Sequence, residues 1–306
     1  MLESLTGFVV VGVAILVGWI VGRVGLLGEH ATHVLARLTF FVLSPFLLFV
    51  VLSQADVRLL FSALLPVAAI AAVTMFAIYA LVARLVWRRS LGETVIGALS
   101  SGQVNSNNIG IPLSLYLLGS AVYPAPVILL QLLVFTPITM AILEAVTSGR
   151  SSLGRSVVRV LRNPLVIGSA LGAVVSFSGL ELPRIVLEPV TLIANAYVPI
   201  ILISYGISLH GQRVLGASGR RRDIVLATGL KLIAMPVVAW AVAEFVFGLG
   251  EQDVLVVTVL AALPTAQNVF NYSQRFGIGE SISRDTVFLT TIGCIPVLIL
   301  VTVLLG

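Results

Sequence analysis

Two clusters of neutral polar side chains interrupt a sequence that is otherwise apolar. The first runs Ser100, Ser101, Gln103, Asn105, Ser106, Asn107 and Asn108, followed by Gly110 and Pro112. The second runs Pro264, Thr265, Ala266, Gln267 and Asn268, followed by Asn271, Tyr272 and Ser273. Amides and hydroxyls supply donors and acceptors without charge. Neither cluster holds a nucleophile beside a base or a set of metal ligands, so their chemistry is binding. In hydrocarbon each unsatisfied polar group costs several kcal/mol, so these side chains need partners. A helix broken at such a cluster leaves backbone N–H groups and a positive dipole end, which favour an anion. The clusters contain no Asp, Glu, Lys or Arg, and neutral donors suit a carboxylate better than a cation. Gln103, Asn105, Asn107, Asn108, Gln267 and Asn268 are therefore candidate substrate contacts, with Gly110, Pro112 and Pro264 as candidate helix breakers. The competing use of the same amides is glue between helices.

The elements that hold these clusters are membrane spans. Of 306 residues, 58% are hydrophobic and 10% charged, and mean hydropathy is +1.12. A soluble domain is about 25% charged. This composition excludes a soluble enzyme, a disulfide scaffold, a disordered chain and a large domain outside the membrane. A span takes about 20 apolar residues. Apolar runs at 6–25, 33–54, 59–87, 93–119, 123–147, 164–182, 184–209, 223–248, 253–277 and 283–305 predict ten, an all-α polytopic membrane protein. The first run has Glu3 before it and Arg23 at its end, and reads as a retained span rather than a signal peptide. The polar clusters fall in the middle of spans four and nine.

Charge gives the orientation. Of the eighteen Lys and Arg residues, Arg58 and Arg184 fall on one side and Lys231 lies within a span, leaving fifteen on the other side. That bias predicts a plasma (inner) membrane protein with both termini outside. The basic residues form no single patch, which argues against a nucleic-acid partner. Residues 148–163 form a cytoplasmic linker, with Arg155, Arg159 and Arg162 on one helical face. They either lie on anionic headgroups or form a solvated basic loop. Lys231 sits eight residues beyond Asp223, about 12 Å into span eight. It is a candidate charge partner for substrate or for Glu144, unless it snorkels to the surface. Glu144 and Glu244 are placed at span ends. His30, His33 and His210 lack metal-ligand spacing, so no metal or other cofactor is expected. Cys294, the one cysteine, reads as a packing residue.

The linker divides the spans five and five. Ala98-Leu99-Ser100-Ser101-Gly102-Gln103 matches Ala262-Leu263-Pro264-Thr265-Ala266-Gln267, and Pro45, Pro66 and Pro137 find counterparts in Pro199, Pro236 and Pro296. The order is common to both halves, which predicts two repeats, 1–147 and 164–306. Five spans per unit invert the second relative to the first, as in secondary transporters with a midplane site at broken helices. Gly18/Gly22 and Gly168/Gly172 form Gly-x-x-x-Gly pairs in spans one and six, for packing within the protomer or for a homodimer.

At Asn105 with Gly110-Ile111-Pro112, at Ala261-Ala262-Leu263-Pro264, and at Lys231 five residues before Pro236, the sequence resembles the auxin efflux carrier family. That family includes plant auxin exporters and bacterial carriers of malate and malonate. The resemblance implies that spans four and nine cross, that Asn105 binds the substrate carboxylate, and that Gln267 and Asn268 complete the pocket. It also implies a scaffold of spans one, two, six and seven, with the remaining spans carrying the site. The sequence departs from the plant pattern at Val104 and Val269, where plant members have proline. Its linker is too short for their large loop, which points to a small prokaryotic member.

The function expected is a secondary carrier of small organic anions, a carboxylate or dicarboxylate such as malate or malonate, with elevator-like alternating access. The alternatives are a sodium-coupled organic-anion symporter of the bile-acid type and an intramembrane enzyme. The enzyme lacks a catalytic grouping near the clusters. A Gly-x4-Gly-Lys-Ser/Thr loop is absent, so the chain is not itself an ATP-driven pump.

Overall fold

The computed structural model describes residues 2–28, 30–54, 62–148, 158, 161–210 and 218–306. The linker expected at 148–163, with Arg155 and Arg159, and the loop carrying Arg58 lie almost entirely outside these. The helices are α1 (Leu2–Val24), α2 (Ala31–Gln54), α3 (Leu64–Val86), α4 (Leu91–Gly102), α5 (Ile111–Leu117) and α6 (Ala125–Thr147). They continue as α7 (Pro164–Ser178), α8 (Arg184–Ser208), α9 (Arg221–Val246), α10 (Glu251–Ala262), α11 (Gln267–Phe276) and α12 (Glu280–Leu305).

Among the described residues, α2, α3, α6, α8, α9 and α12 are long and apolar enough to cross a membrane. α7, at Pro164–Ser178, is a shorter apolar helix. The runs at 93–119 and 253–277 are each two short helices, α4 with α5 and α10 with α11, because the chain leaves the helix at the polar clusters.

Local chemistry sets the helix ends. Ser90 and Glu93 form a capping box at the start of α4, each side chain accepting from the other's backbone N–H. Asn163 accepts from Leu165 N at 2.9 Å and Pro164 opens α7, where a missing N–H costs nothing. Gly179 and Gly277 end α7 and α11 at φ 63° and 65°, a conformation that a Cβ disfavours.

Two sets of helices emerge from the contacts. α1 lies along α8, and α7 lies along α2. The small residues make both approaches possible. A Cβ on Gly18 would meet the Ile203 carbonyl oxygen at 2.1 Å, and one on Gly206 would meet that of Ile15 at 2.0 Å. On the other pair, a Cβ on Gly168 would meet Pro45 O at 2.4 Å, and one on Gly172 would meet Phe49 O at 2.6 Å. The Gly-x-x-x-Gly pairs are thus consumed inside the protomer. The second set gathers α3, α4, α6, α9, α10, α11 and α12 around the crossing. Its basic end is tied together by Asp223 at the start of α9. This fully buried carboxylate accepts from Tyr79 Oη at 3.1 Å and from Arg89 Nη2 at 2.6 Å. The same contact raises the Arg89 pKa, so the guanidinium stays charged. Glu93 pairs with Arg220 nearby.

Candidate substrate site at the helix crossing

α4 and α10 are each 12 residues long, about 18 Å. α4 packs on the first part of α9 and α10 on its later part, and the ends of the two short helices meet between them. There Val104 and Thr265 pair as an isolated antiparallel bridge. Asn105 N donates to Pro264 O at 2.8 Å, and Ala266 N donates to Gln103 O at 3.0 Å. Each broken strand of chain thus supplies the partners that the other has lost, which is how the helices break without proline at Val104 or Val269.

Side chains serve further backbone groups at the two helix C-termini. Thr265 Oγ1 donates to Ser100 O at 2.6 Å, and Thr265 N donates to Thr290 Oγ1 at 3.0 Å. At the end of α10, Lys231 Nζ donates to Ala261 O at 2.6 Å. Lys231 is fully buried, so it does not snorkel. It sits in a π-turn of α9, Leu230–Ala234, which widens the helix where the side chain turns toward α10. An N–H donor at this place serves a carbonyl that the end of a helix leaves without an intrahelical partner.

The helix starts beyond the crossing differ. Asn105 caps the turn Ser106–Gly110, its Oδ1 accepting from Asn108 N at 3.2 Å. Asn105 is 4% exposed, and its Nδ2 is buried without a hydrogen-bond partner. Gln103 Oε1 and Asn107 Oδ1 are in the same condition. Asn107 also meets the other helix set: its Nδ2 donates to Ser44 Oγ at 3.4 Å, and its carbonyl accepts from Tyr197 Oη at 2.6 Å. Asn108 Oδ1 accepts from Asn107 Nδ2 at 3.1 Å. Gly110 and Pro112 lie past the break, in the π-turn and the first turn of α5.

On the other arm, no side chain caps α11. Gln267 is half-buried and lines a recess with Tyr205 and Ser208 of α8 and Arg284 and Thr291 of α12. Asn268 is exposed. The structure therefore gathers Gln103, Asn105, Asn107 and Asn108 at the crossing, with Gln267 on the far side of the bridge. The sequence alone gives no partner to Thr265, Thr290, Tyr197 or Asp223. Thr265 stood in the second cluster, but nothing local marks the carbonyl 165 residues away that it serves.

Comparison with known proteins identifies the family. The model of the family described as membrane transport protein matches residues 4–153 and 145–302. "Probable auxin efflux carrier component 5b" of Oryza sativa subsp. japonica is 28% identical over 152 residues, 48% of this chain and 41% of that protein. "Putative malonate transporter" of Rhizobium meliloti (strain 1021) is 25% identical over 134 residues, 44% of this chain and 41% of that protein. Each match thus spans about two fifths of the relative's length. With apolar helices throughout and a family match over nearly its whole length, the chain is a multi-pass membrane protein and belongs to the membrane transport protein family, the auxin efflux carrier family.

Proposed function

We propose that the protein is a secondary carrier of small organic anions in the plasma membrane, with both termini outside and its site at the crossing. The observation that carries this is Asn105 Nδ2, a buried donor with no partner beside a helix break that contains no acidic residue. A carboxylate is the natural acceptor, since an unpaired buried donor costs about 1–3 kcal/mol. Gln103 and Asn107 belong to the same buried segment, and Lys231 holds a carbonyl oxygen at the end of α10. The paired packing of α1 on α8 and α7 on α2 supports ten crossings arranged as inverted repeats, 1–147 and 164–306. In this reading α1, α2, α7 and α8 form the scaffold, and the remaining helices move past it as an elevator. Homodimerisation would then use lipid-facing surface outside the glycine contacts.

The test is counterflow in proteoliposomes with labelled malonate, malate and indole acetate, each with and without sodium. Saturable exchange in the wild type and its loss in folded, inserted Asn105→Ala are the expected results. Normal exchange by Asn105→Ala would sink the assignment. Strict sodium dependence would favour the symporter, although the Ala261 carbonyl that a sodium ion could use is already taken by Lys231.

A further inference from the structure

The recess beside Gln267 has two polar ends. Its inner end holds the Gln267 amide, the uncapped start of α11 and Thr291, which is 6% exposed with its Oγ1 unpartnered. Its mouth holds Arg284, whose Nε donates to Asp285 at 2.7 Å and whose side chain is 39% exposed. Thr291 and Arg284 lie seven residues apart on α12, about 10 Å along the axis. Tyr205 and Ser208 of α8 form the opposite wall, so the recess lies between the two helix sets. Its lining includes one cationic residue and no carboxylate.

We infer that this recess is a second anion subsite, in which Arg284 selects dicarboxylates over monocarboxylates. The inference rests on the organic-anion reading above. One carboxylate seats against the Thr291 hydroxyl, the Gln267 amide and the first turn of α11, where N–H groups and the dipole favour it. A single carboxylate held there leaves Arg284 too far away to touch, with water between. A second carboxylate on the same short molecule points back toward the mouth and meets the guanidinium, which recognises it in a bidentate manner. Arg284 thus adds affinity only for the diacid and adds nothing for the matched monoacid. Its bond to the buried Asp285 fixes the guanidinium in place, so little side-chain entropy is lost on binding.

The test uses the full chain purified in detergent and follows thermal stabilisation by malate and by lactate, which differ by one carboxylate. The wild type is expected to prefer malate, and Arg284→Gln to weaken malate binding about tenfold while leaving lactate unchanged. Arg284→Lys should restore part of the difference. Because Arg284 also partners Asp285, Ser208→Asp provides an independent variant. It sets a negative charge on the opposite wall and should weaken malate far more than lactate. Equal effects on both ligands in these variants, or unchanged malate binding, would overturn the inference while leaving the crossing site to stand or fall by Asn105→Ala. A wild type stabilised by neither ligand would count against both.

Discussion

Lys231 Nζ lies 2.6 Å from the carbonyl oxygen of Ala261. Ala261 is in the last turn of α10, where the helix has no further N–H to offer that carbonyl. The lysine thus replaces the hydrogen bond that an unbroken span nine would have made. Replacing Lys231 by methionine keeps the volume and removes the donor. Lys231→Met should lose about 1–3 kcal/mol of stability and most exchange activity, read from thermal unfolding in detergent and from counterflow. A variant with both unaltered would mean that water or a backbone shift serves the carbonyl equally well.

The two ion pairs at the basic end should differ in weight. Asp223 is fully buried and holds Tyr79 and Arg89 together, whereas Glu93 and Arg220 have side chains 21% and 30% exposed. Asp223→Ala strands a guanidinium and a phenol against an empty site, and should cost about 3 kcal/mol. Glu93→Ala removes a partly solvated pair worth about 0–1 kcal/mol, along with one arm of the capping box. Unfolding curves for the two variants at the same detergent concentration check the ranking.

Glycine positions offer a cleaner contrast. A methyl group on Gly206 would overlap the Ile15 carbonyl, whereas a methyl on Gly12 meets nothing within 4 Å. Gly206→Ala should force α1 away from α8 and cost about 1–3 kcal/mol, with Gly12→Ala close to neutral. Equal stability of the two proteins would mean that α1 is held by contacts elsewhere along its length.

Much of this could be read from residue types alone. The amide clusters mark where spans four and nine break, because polar side chains in hydrocarbon have few other uses. Pro264 lies at the crossing, and the Gly-x-x-x-Gly pairs mark close helix packing. Gly110 and Pro112 mislead because proline is tolerated in a first helical turn. The break falls earlier, where Val104 finds Thr265. The bond from Lys231 to Ala261 is not legible for a related reason. Counting residues along a helix gives depth, but not whether an open carbonyl waits alongside. Tyr197 with Asn107, and Asp223 with Tyr79, are partners separated by 90 and 144 residues. No local pattern announces them, since each is ordinary in its own sequence surroundings.

The bridge at the crossing also sets a schedule for biogenesis. Ser100 O waits for a hydroxyl 165 residues downstream, and Asn105 N waits for Pro264. At roughly 5–20 residues per second of synthesis, that delay is on the order of 10–30 s. Throughout it the first polar cluster has entered the insertion pathway without its mates. Span four must therefore be sheltered, at the translocon or by an insertion chaperone, until span nine emerges. Arrest of translation between the two clusters should leave the nascent chain bound to that machinery rather than released into lipid.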